Sequence, residues 1–336
     1  MKLVVDAPVS ASLLRVSRGV QKLAEGYPEA EVIAAAIVVR QRFAWTGEAL
    51  APVPPAREDE HIRFGAVDEG EYGELMADEI APRTGTDVIV LGDAVATEPV
   101  VATRVEVKVG PYRAALDVFG DRVWEDGPGG LMPSTPTPFV RMPITWTRAF
   151  GGSAPGDYGP MPWHENPAGK GYLLRKKDAP GTALPNIERP PHIAQWNDRP
   201  EVAGLGPYPT HWGLRRKHWA EAHADPPRIE LHPERGLFDR AHPALSGQRV
   251  DPGPMTIAGM TARVWTFDVP ACPVTSEVSI GGGSERRPFE LEEILVDLRG
   301  DARTVDLAWR TMFRYPLYAR QVRAARVIPI ERSNSR

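Results

Sequence analysis

Four of the chain's eight histidines, His211, His218, His223 and His232, fall within 22 residues and are the residual signal for enzyme or metal chemistry. A zinc-type site needs its nitrogen ligands to converge at about 2.0–2.1 Å from one ion. His218 and His223 are five residues apart, and on the helix expected there that spacing sets them about 140° apart around the axis, a poor chelating pair. Surface or hydrogen-bonded histidines are therefore the expectation, with no metal and no cofactor. His164-Glu165-Asn166-Pro167 begins like the H-E-x-x-H motif, but a proline and no second histidine follow. The chain has no G-x-x-x-x-G-K-[ST] cradle and no G-x-S-x-G elbow, and Gly281-Gly282-Gly283-Ser284 reads as a turn. The single cysteine, Cys272, lies between Pro270 and Pro273. A nucleophilic thiol needs a base and a lowered pKa, and nothing local supplies either, so a small buried apolar residue is expected. One cysteine also precludes a disulfide within the chain and fits a reducing compartment.

Other polar residues have two readings each. Lys170, held between Gly169 and Gly171, can present its ammonium where backbones come close. It either grips a carboxylate on a partner or fixes its own loop by an internal salt bridge, the plainer reading. Asp121 and Arg122 share that choice. Asn186, between Pro185 and Ile187, is expected to bond loop backbone. Trp124, Trp146, Phe119, Phe139 and Phe150 belong either to the core or to an interface, since aromatics dominate both.

The elements that must position these residues read as β. Residues 31–46 combine a continuous apolar run with alternation at the end, which favours a strand, although the alanines keep a helix open. Strands are expected at 87–96, 100–109 and 113–119, joined as an antiparallel meander; Thr103, Val105, Val107 and Val109 alternate with Arg104, Glu106 and Lys108. Gly120-Asp121 is placed at a hairpin corner between Val118-Phe119 and Val123-Trp124. Further strands are expected at 263–269, 276–280, 291–298 and 304–311, and a short helix at 214–223. Residues 127–138 and 152–209 read as long ordered loops, more often functional than idle.

Proline and glycine, 35 and 31 residues, push the chain toward turns and away from helix interiors. Net charge is −4, which predicts no general affinity for nucleic acid. Acids crowd residues 58–74 and suggest a solvated negative face or a dock for a basic partner. Asp6 and Pro8 interrupt any signal-peptide core, and no run is long enough for a membrane helix, so a soluble, cytoplasmic protein is expected. The fold expected is mainly β: two packed antiparallel sheets, an elaborated β-sandwich, with long ordered loops and one or two short helices. It would be a single domain over residues 1–320, with the loop-rich segment 127–235 inside it. A basic tail, 321–336, would form a helical segment or a frayed end.

Four stretches occur in a telling order: Val118–Trp124 (VFGDRVW), Met142–Gly152 (MPITWTRAFGG), Asn166–Tyr172 (NPAGKGY) and Leu184–Pro190 (LPNIERP). Together with the strand at 85–92 they resemble the bacterial family called domain of unknown function 2169, over roughly residues 70–315. Residues 237–248 depart from that family's phenylalanine-rich segment. The resemblance implies an adaptor or chaperone that loads type VI secretion effectors onto the secretion spike from inside the cell. Its partners would be an effector toxin and a spike protein of the VgrG or PAAR type, with no nucleic acid and no membrane. The residues expected at the partner surface are Trp124, Trp146, Phe150, Asn166, Lys170, Tyr172 and Asn186. Two other classes stand beside this one: a hydrolase of cell-envelope or secreted substrates, using the histidines with Asp121 or Glu188, and a structural component of an oligomeric particle.

Overall fold

The computed structural model describes residues 1–21, 29–213, 238–300, 303–317 and 323–330. The chain is mainly β, arranged as several sheets with a sandwich-like core. The expected helix at 214–223, with His218, His223 and His232, lies outside the described residues.

Ala30–Trp45 is the spine of the largest sheet. It runs antiparallel to Ser10–Gln21 on one side and to Thr304–Pro316 on the other. Its alanines form strand, not helix: Ala34 to Gln41 are buried without a break, which needs cover on both faces of the sheet. Beyond Thr304–Pro316 lie Glu290–Asp297 and then Asp87–Leu91. A second sheet has the order Ile187–Glu188, Tyr112–Phe119, Ala102–Val109, Gly253–Ala258, Trp265–Val269. A third joins Lys2–Val5, Arg323–Pro329, Val274–Ile280 and Gly283–Arg287. Inward side chains of all three, among them Ile89, Leu116, Ile257, Leu307 and Val327, share one core. Full burial of each contributes about 1.5–3 kcal/mol before entropy is counted.

Several expectations are amended. The pairing is not wholly antiparallel: Asp87–Leu91 runs parallel to Glu290–Asp297, and Lys2–Val5 parallel to Arg323–Pro329. The strand expected at 87–96 divides at Gly92, and its second part, Asp93–Val100, leaves to pair with Phe139–Pro143. Of the meander, only the turn at Gly110-Pro111 joins paired neighbours. Gly120-Asp121 is no hairpin corner, because Val118 pairs with Ile187 while Trp124 pairs with Pro133. The basic C-terminal run is a strand over Arg323–Pro329, held between two neighbours. The helical elements described over their full extent are 3-10 turns of three residues each. Among the described residues no helix is long and apolar enough to cross a membrane.

The segment between residues 60 and 84 straps the largest sheet, and a buried ionic network holds it. Arg40 donates to Asp78 at 2.6 Å and to Glu293 at 2.8 Å. Arg63 and Arg83 also donate to Glu293, and Arg83 reaches Asp87 at 2.8 Å. Arg310 donates to Glu292 at 2.6 Å. Consecutive glutamates are both buried here because the register shifts between Leu291 and Glu293, a bulge that re-aims one of them.

A candidate partner-binding face where four loops meet

The four loop stretches fold against the end of the Tyr112–Phe119 strand. Asp117 and Val118 pair with Glu188 and Ile187, and Ala149 bridges to Ile187. Phe150–Gly151 lies parallel to Lys170–Gly171, and Val123 bridges to Ala183. Short backbone bonds stitch the seams: Phe119 N–H to the Asn186 carbonyl at 2.7 Å, Asn186 N–H to that of Arg148 at 2.8 Å, and Lys170 N–H to that of Ala149 at 3.0 Å. Glycine is required where backbones touch. A Cβ on Gly120 would stand 1.7 Å from the Thr137 carbonyl oxygen, and one on Gly151, at φ +146°, would stand 2.1 Å from that of Asn166.

One side chain from each stretch meets the others, with Asp121 exposed, Lys170 and Arg148 half-buried, and Asn186 buried beneath them. Asn186 Nδ2 donates to the Phe119 carbonyl and to Asp121 Oδ1, both at 3.0 Å. Asn186 Oδ1 accepts from Arg148 at 3.4 Å. Lys170 Nζ is 3.7 Å and Arg148 Nη1 4.0 Å from the same Asp121 Oδ1. The Asn186 amide, with help from Lys170 and Arg148, holds the Asp121 carboxyl below its usual range. Burial pushes the Lys170 ammonium down, and the neighbouring Arg148 charge adds to this; together they outweigh Asp121.

Behind this face most polar groups bond internally, although Arg122 Nε and Asn166 Oδ1 are buried without a hydrogen-bond partner among the described residues. The buried Arg122 guanidinium donates to Glu188 and to the Pro185 carbonyl. Glu188 Oε2 also accepts the Ile193 N–H at 3.0 Å, so both carboxylate oxygens are engaged. Asn166 Nδ2 donates to the carbonyls of Trp146 and Phe150 at 2.8 and 3.0 Å.

The residues expected at a partner surface divide accordingly. Trp124, Trp146, Phe150, Asn166 and Asn186 are buried, with their side chains turned into the domain. Trp124 and Phe150 pack with Leu173 and Leu184 in a satellite core. Trp146 fills another with Val202, Tyr208 and Trp212, donates to the Pro207 carbonyl at 2.7 Å, and stacks on His242. Lys170 and Tyr172 are half-buried, and the Tyr172 ring lies 5.0 Å from the Arg199 guanidinium. Arg148 carries no sequence signal beyond its place inside the second stretch. Among the described residues no group of three or more His, Cys, Asp or Glu side chains converges as a metal site.

Residues 30–310 match the family model for domain of unknown function 2169, described as an uncharacterized protein conserved in bacteria. The chain belongs to this family. The match takes in all four loop stretches and the strands that carry them. No curated protein and no solved structure matches the chain.

Proposed function

We propose that this member of the domain of unknown function 2169 family is a non-catalytic adaptor. It binds a type VI secretion effector in the cytoplasm and helps bring it to the secretion spike. The observation that carries this reading is the convergence of Asp121, Arg148, Lys170 and Asn186, one from each loop stretch, on one rigidly stitched face. Their polar groups bond to one another and to backbone, which suits a surface built to hold its shape against another protein. The role in effector loading comes from the motif resemblance.

Affinity capture of the tagged chain from its native lysate, with mass spectrometry of what accompanies it, tests the proposal. An effector or spike protein recovered at near-stoichiometric yield is the expected result. Recovery of the chain alone, carrying a bound metal or small molecule, would overturn the reading and return attention to the histidines.

A further inference from the structure

The Lys170–Arg148–Asp121 group is unevenly matched. Some surface arginines close on a carboxylate of their own through two nitrogens, as in Arg42–Asp306 at 2.7 Å and Arg104–Asp117 at 2.8 Å, and looser pairs such as Arg286–Glu277 at 3.8 Å still match one cation to one carboxylate. Here two cations share one carboxylate oxygen at 3.7 and 4.0 Å, and that oxygen already accepts from Asn186. Asp121 is 70% exposed, whereas the Lys170 and Arg148 side chains are 26% and 31% exposed. One positive charge is therefore left over, partly withdrawn from water, on a face whose backbone cannot easily shift. Arg122 beneath it is committed to Glu188 and adds nothing to either side of the balance.

The geometry points to a carboxylate receptor: Lys170 and Arg148 take a glutamate or aspartate side chain of the partner protein. This rests on the partner-binding reading above and names the chemistry that the face selects. The incoming carboxylate completes the charge balance and competes with Asp121 for both cations. Fixed donors in a partly desolvated setting favour it over water.

The competition sets a signature that a purely structural salt bridge lacks. Asp121→Asn keeps an oxygen for Asn186 but removes the competing charge, so it strengthens acidic-peptide binding; Arg148→Gln weakens it. A structural bridge would make both substitutions weaken binding alike.

The test uses the full chain with its lysines 13C-dimethylated, which retains their charge, and Lys170→Gln to assign the Lys170 resonance. The probe is an acetylated, amidated triglutamate peptide, titrated at constant ionic strength. Triglutamine and sodium acetate serve as controls. The expected result is a saturable shift of the Lys170 signal with triglutamate, tightened about tenfold in Asp121→Asn and weakened by a similar factor in Arg148→Gln. An unshifted signal, an equal response to triglutamine, acetate as potent per carboxylate as the peptide, or weakening by both substitutions would each overturn the inference. If Arg148→Gln fails to fold, the opposite signs expected for Asp121→Asn and a loosened bridge still decide. Saturable peptide binding without any captured partner would count against the adaptor reading alone. A captured partner whose yield ignores Lys170→Gln, with no peptide binding, would count against this inference alone.

Discussion

Arg122 and Glu188 stand 66 residues apart in the chain and form an ion pair buried beneath the face where the loops meet. Burial pushes both partners toward neutrality: the Arg122 guanidinium is lowered and the Glu188 carboxyl raised, and their mutual attraction does not reverse either shift. The pair thus fixes which loops meet more than it adds stability, because desolvation offsets the Coulombic gain.

A double substitution separates those two effects. Arg122→Met or Glu188→Leu alone leaves one charge buried without its partner and is expected to cost about 3–5 kcal/mol. The double variant should lose much less than the sum of the two. Urea denaturation of the three variants measures this, and simple additivity would show that the pair is not coupled.

The strap network makes a pH prediction. For Glu293 burial alone would raise the pKa, but Arg40, Arg63 and Arg83 outweigh it and hold the carboxyl well below its ordinary range. Asp78 is lowered in the same way, chiefly by Arg40. Arg40 and Arg83 each have a second carboxylate and are raised despite burial; Arg63, pressed by burial and by Arg40, falls to about 10 and stays charged at neutral pH. Carboxylates depressed on folding contribute stability that is complete above their unfolded values, about 3.9 for Asp and 4.3 for Glu, and lost as pH falls through the folded ones. Melting temperature should therefore hold down to about pH 5 and drop steeply below about pH 4. Glu293→Gln should cost about 3–5 kcal/mol at pH 7 and flatten the acid limb. An unchanged acid limb in that variant would assign the loss to other carboxylates.

Much of this architecture is written in local patterns, and the exceptions share a cause. The alternation over 102–109 predicted a strand with one wet face, and Arg104 and Lys108 are indeed exposed. The same alternation cannot distinguish a wet face from one covered by a distant strap. Arg40, Asp87, Glu293 and Arg310 look like surface residues and are buried because residues 60–84 fold over them. At Gly92-Asp93 a two-residue break separates the apolar runs Val88–Leu91 and Ala94–Ala96, and local pattern does not tell a break within one strand from a change of partner. At the loop face, the bonding of Asn186 to backbone and of Lys170 to an internal carboxylate follow from residue type and neighbours. The burial of Trp146 depends on residues 202–212, which nothing near it in sequence foretells.

The seams between the loops should reject a methyl group. Gly151→Ala must place a Cβ against the Asn166 carbonyl at positive φ, and Gly120→Ala must place one against that of Thr137. Each is expected to cost more than about 3 kcal/mol, from the backbone clash at Gly120 and from clash with an unfavourable φ at Gly151. Gly129→Ala, where nothing lies within 4 Å, should stay within about 0.5 kcal/mol of the parent. Thermal melts of the three variants decide; equal losses would mean that the seams yield.

Asn166 should behave as a brace. Asn166→Ala strips a donor from the carbonyls of Trp146 and Phe150; Trp146 keeps the Ala149 N–H, so the expected cost of about 1–3 kcal/mol falls mainly on Phe150. Amide exchange should then quicken at Gly152 and Gly169, whose N–H groups bond to the Asn166 carbonyl. Unchanged protection at both sites would show that the loop holds without the side chain.

Cys272 offers a probe of the core edge next to the third sheet. Burial pushes its thiol up to about 12, despite an opposing backbone hydrogen bond from Val274. At pH 8 a thiol of ordinary pKa is roughly a quarter ionised, whereas one at about 12 is ionised on the order of one part in ten thousand. The more basic thiolate is the stronger nucleophile, which recovers part of that difference and leaves native alkylation about a hundredfold slower than in urea. Timed labelling with iodoacetamide, native against denatured, measures the ratio. Rates within a factor of a few of each other would place the thiol in open contact with water and remove Cys272 from the packing around Val274.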